Sequence, residues 1–235
     1  MSSSERGIAL VVTLLTIGFL SALGLGLVLS SSIGRMADSN HEDAIVLLNA
    51  AESALELASR DLARIGDWNL VLSGAARSSL VDGPAGPRML TDGSAIDLAG
   101  LTNLLTCGRA GACSDAQRSA SSADRPWGRQ NPRWGLFLHG PAPYLTTPRH
   151  RTPPYIVVWL GDDASEADDD PALDGSAAGG EGRHLLRARA EAFGSNGGRR
   201  AIEAELVRVC QGVSPDEVCL PGARVRSWRV ASAAP

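Results

Sequence analysis

Apolar residues crowd the start of this chain and then thin to one side of it. From Ile8 to Leu29 there are 22 consecutive positions without a charge, 16 of them hydrophobic. A helix of that length reaches roughly 33 Å, enough to cross a hydrocarbon layer about 30 Å thick. A secretory signal has a shorter apolar stretch, about 7–15 residues, with a small-residue cleavage site after it. Here the small residue at the boundary, Gly7, comes before the stretch. Gly18, Gly24 and Gly26 would weaken a soluble helix but are tolerated in a membrane one, and they permit close helix approach without the strict G-x-x-x-G spacing. Residues 8–32 are therefore expected to form a transmembrane helix.

Residues 33–66 change character. Ala44, Leu48, Ala51, Leu55, Ala58, Leu62 and Ile65 alternate spacings of four and three, one apolar stripe along a helix. Glu56 and Arg60 stand at i, i+4 in the favourable order. Gly34 is placed to bend the chain between the two halves, and Gly66 to cap the second. Beyond Asp67 the sequence turns irregular. Tyr155–Leu160 reads as a strand buried on both faces, and residues 225–230 as a final strand.

The clearest pattern of the head is a hairpin over 184–209. Leu186, Ala188, Ala190 and Ala192 alternate with Arg187, Arg189 and Glu191, and Ser195-Asn196-Gly197-Gly198 supplies the turn. Pairing Phe193 with Arg199 sets Arg189 against Glu203 and Arg187 against Glu205. The other face then pairs Ala190 with Ile202, Ala188 with Ala204 and Leu186 with Leu206. The alanine face is expected to receive the amphipathic helix, because small side chains let it approach. Trp127 and Trp134, each beside turn residues, are expected to plug a small core.

Three pieces in order resemble the type IV minor pilins of the PilX-like family: Arg6-Gly7-Ile8-Ala9-Leu10-Val11-Val12, Arg35-Met36-Ala37-Asp38-Ser39-Asn40, and Asn49-Ala50-Ala51-Glu52-Ser53-Ala54-Leu55. The match covers residues 1–65. It implies a leader (1–7) cleaved after Gly7 by a prepilin peptidase, methylation of the new Ile8 amine, and an α+β pilin-like fold. In that fold a long N-terminal helix packs on a small antiparallel sheet with long loops, the head being residues 67–235. It also implies an inner-membrane precursor with a periplasmic head, reaching the pilus and cell surface after assembly. The partners implied are other minor and major pilins through the N-terminal helix, the inner-membrane assembly machinery and a tip adhesin.

One position departs from the major pilins, which carry glutamate at the fifth mature residue, here Val12. A buried carboxylate needs a partner, so a subunit without it suits a tip position and a priming role. Glu5 lies in the leader and does not replace it. A type II secretion minor pseudopilin, whose tip member also lacks the acid, is the nearest alternative. A membrane-anchored periplasmic sensor or enzyme is the alternative from a different class.

Charge sharpens the head. The formal net charge is −4, but the stretch from Asp162 to Asp174 holds seven acids and no base, and all 22 basic residues are arginine. No nucleic-acid partner is expected from so mild a balance. Arg149 and Arg151 around His150 form a weak basic patch that reads as ordinary loop. His41, His139, His150 and His184 are scattered, and no metal, nucleophile or dinucleotide motif appears, so no catalysis and no cofactor other than calcium is expected.

Cys107, Cys113, Cys210 and Cys219 lack metal spacing, and an even count in an exported head points to two disulfides. Three connectivities exist; proximity favours Cys107–Cys113 with Cys210–Cys219. Asp162, Asp163, Asp168, Asp170 and Asp174, with Glu166 and Asp169 among them, could supply oxygens to calcium, although the EF-hand spacing is not met. The plainer reading is a solvated loop. A melting temperature that rises in calcium over chelator would select the ion, and an unchanged one the loop.

Overall fold

The computed structural model describes residues 3–90, 92–143, 152–165, 170–175, 184–194, 197–212, 218–220 and 222–232, with side chains from Leu10 onward. Two compact units divide the chain, Met1–Asp43 and Ala44–Pro235. Helix α1, Ser3–Leu62, begins in the first and ends in the second. Gly34 does not interrupt it: the helical pattern continues through that position.

The second unit is built on a five-stranded antiparallel sheet of β3 (Gly135–Pro141), β4 (Tyr155–Asp162), β5 (Leu185–Phe193), β6 (Arg199–Val207) and β9 (Arg224–Ala231), in that spatial order. Two short ribbons flank it, β1 (Pro87–Met89) with β2 (Ala95–Asp97), and β7 (Cys210–Gln211) with β8 (Val218–Cys219). Three further helices, α2 (Asn69–Leu72), α3 (Leu98–Cys107) and α4 (Asp115–Arg118), lie before the sheet in sequence. The class is α+β, a long N-terminal helix with an antiparallel sheet, as expected of a pilin-like fold.

The hairpin takes the expected register: Phe193 opposes Arg199, Arg189 opposes Glu203, Ala190 opposes Ile202 and Leu186 opposes Leu206. Gly197 adopts φ +73°, and the Gly194 amide donates to the Gly198 carbonyl at 2.8 Å. Ser195 and Asn196 lie outside the described residues. Leu186, Ala188, Ala190 and Ala192 share one core with Ala50, Ala51, Ala54, Leu55, Ala58 and Leu62 of α1. The alanine face and the one-sided helix therefore meet, and Leu47 lies close enough to Gly194 that a Cβ there would stand 2.9 Å from a leucine methyl. The buried stripe also includes Leu47, Ala50 and Ala54, so its centre is turned slightly from the expected one, and Leu48 is only partly buried.

Gly66 is not the helix cap. The regular helix stops at Leu62, and the Arg64 and Ile65 amides close tighter turns onto Asp61 and Leu62. The carbonyls of Ile65 and Gly66 instead accept from the Arg208 guanidinium at 2.8 and 2.6 Å. Local turns thus close the helix's last carbonyls, and Arg208, one residue past β6, ties down the chain that follows them.

The opposite sheet face was not foreseen to carry a helix. Leu98 and Leu101 of α3 cover Tyr155, Val157, Trp159 and Phe193, and the Trp159 indole donates to Thr102 Oγ1 at 2.8 Å. The Asp97 side chain accepts the Ala99 amide at 3.1 Å, and Gly108 ends α3 at φ +75°. An N-cap Asp, leucines three and four apart and a terminal Gly are a readable helix signature inside a stretch that looks irregular at larger scale. The tryptophan expectation fails in part. Trp127 is 39% exposed, with Arg187 over its ring, while Trp134 packs at the edge of this second core and the fully buried pair is Trp68 and Trp159.

The seam between α1 and β5 has no room for a larger side chain. Ala54→Leu should lower unfolding free energy by about 1–3 kcal/mol, measured by chemical denaturation, whereas Glu52→Gln on the exposed face should change it by less than about 0.5 kcal/mol.

Candidate functional site

The first unit offers the chain's largest unsatisfied surface. Every described side chain from Leu10 to Ser31 is exposed, and between Leu10 and Leu29 thirteen of them are large and apolar. Fully burying one such side chain is worth about 1.5–3 kcal/mol, so covering this helix is worth on the order of 20 kcal/mol. It is apolar all round, so one flat docking face would leave most of it wet. Two hydroxyls along it bond the helix's own backbone: Thr16 Oγ1 donates to the Val12 carbonyl at 2.8 Å and Ser32 Oγ to the Leu29 carbonyl at 2.8 Å. The helix is long and apolar enough to cross a membrane.

No charge lies between Arg6 and Arg35, and the first acid after Glu5 is Asp38. Val12 is therefore not compensated by a neighbouring carboxylate. Small residues recur at Gly18, Ala22, Gly26 and Ser30, a spacing of four that G-x-x-x-G matching overlooks. A Cβ built at Gly18 or Gly26 would touch nothing, so that line is open to another helix. Gly7 and Ile8 lie on the helical backbone of α1; their side chains are outside the described set.

In the second unit the cysteines pair as proximity favoured, Cys107 with Cys113 and Cys210 with Cys219. Loop closures of these lengths stabilise by roughly 2–3 kcal/mol each. His184 lies within reach of Cys210 and Cys219, the one convergent His/Cys/Asp/Glu group among the described residues. Both sulfurs are consumed by the disulfide, so the trio is not a thiolate metal site.

The acidic stretch is partly built into the fold. Asp162 ends β4 and is buried, as are Asp163 and Asp174. Asp163 accepts from Ser165 Oγ, Asp170 from the Ala172 amide at 3.1 Å, and Asp174 from the His184 amide at 2.7 Å. Among the described residues no three of these carboxylates converge. Glu166, Asp168 and Asp169 lie outside the described residues, as do Arg149, His150 and Arg151.

Two polar clusters go beyond what sequence reading expects, although the first contains the expected Arg189–Glu203 pair. The first lies on the α3 side of the sheet. Glu191, wholly buried, accepts from Arg189 Nε at 2.7 Å and from Arg199 Nε and Nη2 at 2.8 and 2.6 Å. Arg189 Nη1 also reaches Glu203 at 2.7 Å, and Arg229 Nη2 reaches the other Glu203 oxygen at 2.7 Å. The expected Arg187–Glu205 pair holds as register only. Arg187 sits 3.9 Å from Glu203, and Glu205 accepts from Ser227 Oγ at 2.9 Å.

The second cluster joins His139 Nδ1 to the Tyr155 hydroxyl at 3.1 Å, beside Asp82 and Arg88. Burial, reinforced by the Arg88 charge, holds the His139 pKa below its usual value. Burial and the Asp82 charge hold the Tyr155 hydroxyl above its own. Both groups are therefore neutral near pH 7.

No family model, no curated protein and no solved structure matches this chain.

Burial alone would raise the Glu203 carboxyl, but the Arg229 hydrogen bond and the charges of Arg189, Arg229 and Arg187 outweigh it, and the pKa falls below normal. The stabilisation is complete above the unfolded carboxyl pKa of about 4.5 and is lost as pH falls below it. Unfolding free energy measured from pH 7 down to 3 should fall less steeply in Glu203→Gln than in the parent, and identical slopes would remove Glu203 from the network's acid response.

Proposed function

We propose that this chain is a non-catalytic minor pilin of the PilX-like type, anchored by α1 in the inner membrane with its head in the periplasm and transferred from there into a type IV pilus. The observation that carries the reading is the helix of residues 10–31, exposed and apolar on every side, in the same helix whose last turns form the head's core. A helix satisfies its own backbone in lipid, so it can wait in a bilayer. Leaving that bilayer for a bundle of like helices exchanges lipid contacts for helix packing, which the line of Gly18, Ala22, Gly26 and Ser30 favours.

Val12 supports a position at the tip. A subunit stacked within the bundle would meet the terminal amine of its neighbour, and an apolar residue cannot neutralise it. At the end of a filament no such amine arrives. The head would then be the first part of the assembly to meet a tip adhesin or a surface.

Processing tests the reading directly. Co-expressed with a prepilin peptidase, the full chain should lose Met1–Gly7 and begin at a methylated Ile8, as read by intact mass and N-terminal sequencing, and Gly7→Val should block the cleavage. A chain that keeps its first seven residues beside an active peptidase is not a pilin. In the parent organism, deletion should reduce piliation, and restoring the Gly7→Val chain should not repair it.

A further inference from the structure

Strand β9 forms one side of the main sheet, and its outer edge carries features that neither the apolar helix nor the core uses. β9 pairs with β6 on its inner side. Among the described residues no backbone group of 224–231 has a main-chain partner on the outer side. Eight residues of open strand edge are a template for another strand, which proteins usually shorten, twist away or cover.

The side chains on this edge are not those of a merely protected one. A register shift between Glu205 and Leu206 leaves Arg226 without an opposite residue and brings Val225 level with Leu206. Val225, Trp228 and Val230 thereby fall on one face, opposite Leu206, Ala204 and Ile202. Their partners on β6 are buried in the α1 core, yet these three remain 45%, 53% and 58% exposed. Without the bulge, Val225 would point to the other face. The apolar face of the sheet therefore continues one strand beyond the helix that covers it.

Three of the remaining positions, Arg224, Arg226 and Arg229, are basic, beside Ser227 and Ala231. Arg229 is held by Glu203, whereas Arg224 and Arg226 have no ion pair or side-chain hydrogen bond among the described residues. This charge discriminates between occupants. A second copy pairing β9 with β9 would gather three arginines from each chain along one short ribbon, and like charges across strands are destabilising. An acidic strand meets the opposite condition.

We propose that β9 is a strand-addition site for an extended segment of a different protein in which apolar and acidic residues alternate. Its main chain extends the sheet beyond β9, its apolar side chains cover Val225, Trp228 and Val230, and its carboxylates meet Arg224 and Arg226. Arg224, paired with Val207, lies on the face opposite that apolar row, so the period of two in a strand brings a carboxylate to it, while Arg226 stands at the bulge between the two faces. The site rests on the sheet edge alone and is independent of whether the chain enters a pilus.

The test uses the full chain in detergent micelles with a capped synthetic peptide alternating valine and glutamate, and its counterpart alternating valine and lysine. The glutamate peptide should bind saturably, shift the emission of Trp228 to the blue, and slow amide exchange across residues 224–231 by about tenfold or more; the lysine peptide should do neither. Trp228→Phe should abolish the spectral change while exchange protection by the peptide persists, which assigns the signal. The double variant Arg224→Glu/Arg226→Glu alters only exposed side chains and should reverse the preference to the lysine peptide. The proposal is overturned if the glutamate peptide leaves exchange in β9 unchanged, or if the double variant binds both peptides as the parent does. It is equally overturned if sedimentation without peptide shows a dimer in which the same amides are already protected, because a second copy is then the occupant.

Discussion

The second unit depends on the close approach of two alanine-rich surfaces. Ala50, Ala51, Ala54 and Ala58 of α1 meet Ala188, Ala190 and Ala192 of β5 in a core where each is almost completely buried. An alanine seam gains less from burial per residue than a leucine one, but it lets helix and sheet backbones lie near each other. That closeness makes the position of α1 unforgiving, since interiors pack at crystal-like density and have little slack. Larger side chains are set around the seam instead: Leu47 against Gly194 at one end, Trp68 and Val71 beyond Leu62 at the other. The pins at the helix end follow from it. Asp61 is placed to accept from Ser78 Oγ, the Ser79 amide and Ser79 Oγ, and the carbonyls after Leu62 are placed to accept from Arg208.

The other face of the sheet is organised by charge. Glu191 receives the Arg189 and Arg199 guanidiniums within a buried setting, and Glu203 shares Arg189 and receives Arg229 at its edge. Such an arrangement gains little over an apolar one, because desolvation offsets much of the attraction, but it is intolerant of a lost member. It also disfavours slippage. A shift of β5 by one residue would turn Glu191 and Arg189 into the alanine seam and expose the alanines. The same strand alternation thus separates a close-packed helix face from a polar, ladder-like face that α3 and Phe193 partly roof.

The two units use apolar residues in opposite ways. In the second they are consumed internally, down to a core rich in alanine. In the first they are presented outward on every side, with the Thr16 and Ser32 hydroxyls turned back onto the helix. Among the described residues the N-terminal helix is the one large surface whose stability requires surroundings other than water, and membrane and helical bundle both provide them. The exposed row on β9 is a smaller surface of a different kind, bounded in length by the strand and selective through its arginines.

Much of this was legible from local pattern. The period of 3.6 in α1, the uncharged run from Ile8 to Leu29, the alternation in β5 and β6 and the Gly-rich turn each involve neighbours in sequence, and the hairpin register followed because charges and alanines agreed on one pairing. α3 was equally legible from Asp97, its leucines and Gly108, but was lost in a stretch rich in glycine and proline. Other features depend on residues that come together only in space. That Arg208 holds the Ile65 and Gly66 carbonyls beyond the helix, that Trp159 and Trp68 are core while Trp127 stands at the surface, and that Glu191 is wholly buried could not follow from spacing. The strand edge at β9 is of the same kind, since Val225 joins the row of Trp228 and Val230 only through a bulge opposite β6. Sequence determined the elements and the one internal pairing, because those energies are local. Tertiary structure decided which polar groups are buried, which stretch after a helix is held from afar and which apolar row stays uncovered, because burial is a property of what lies across the fold.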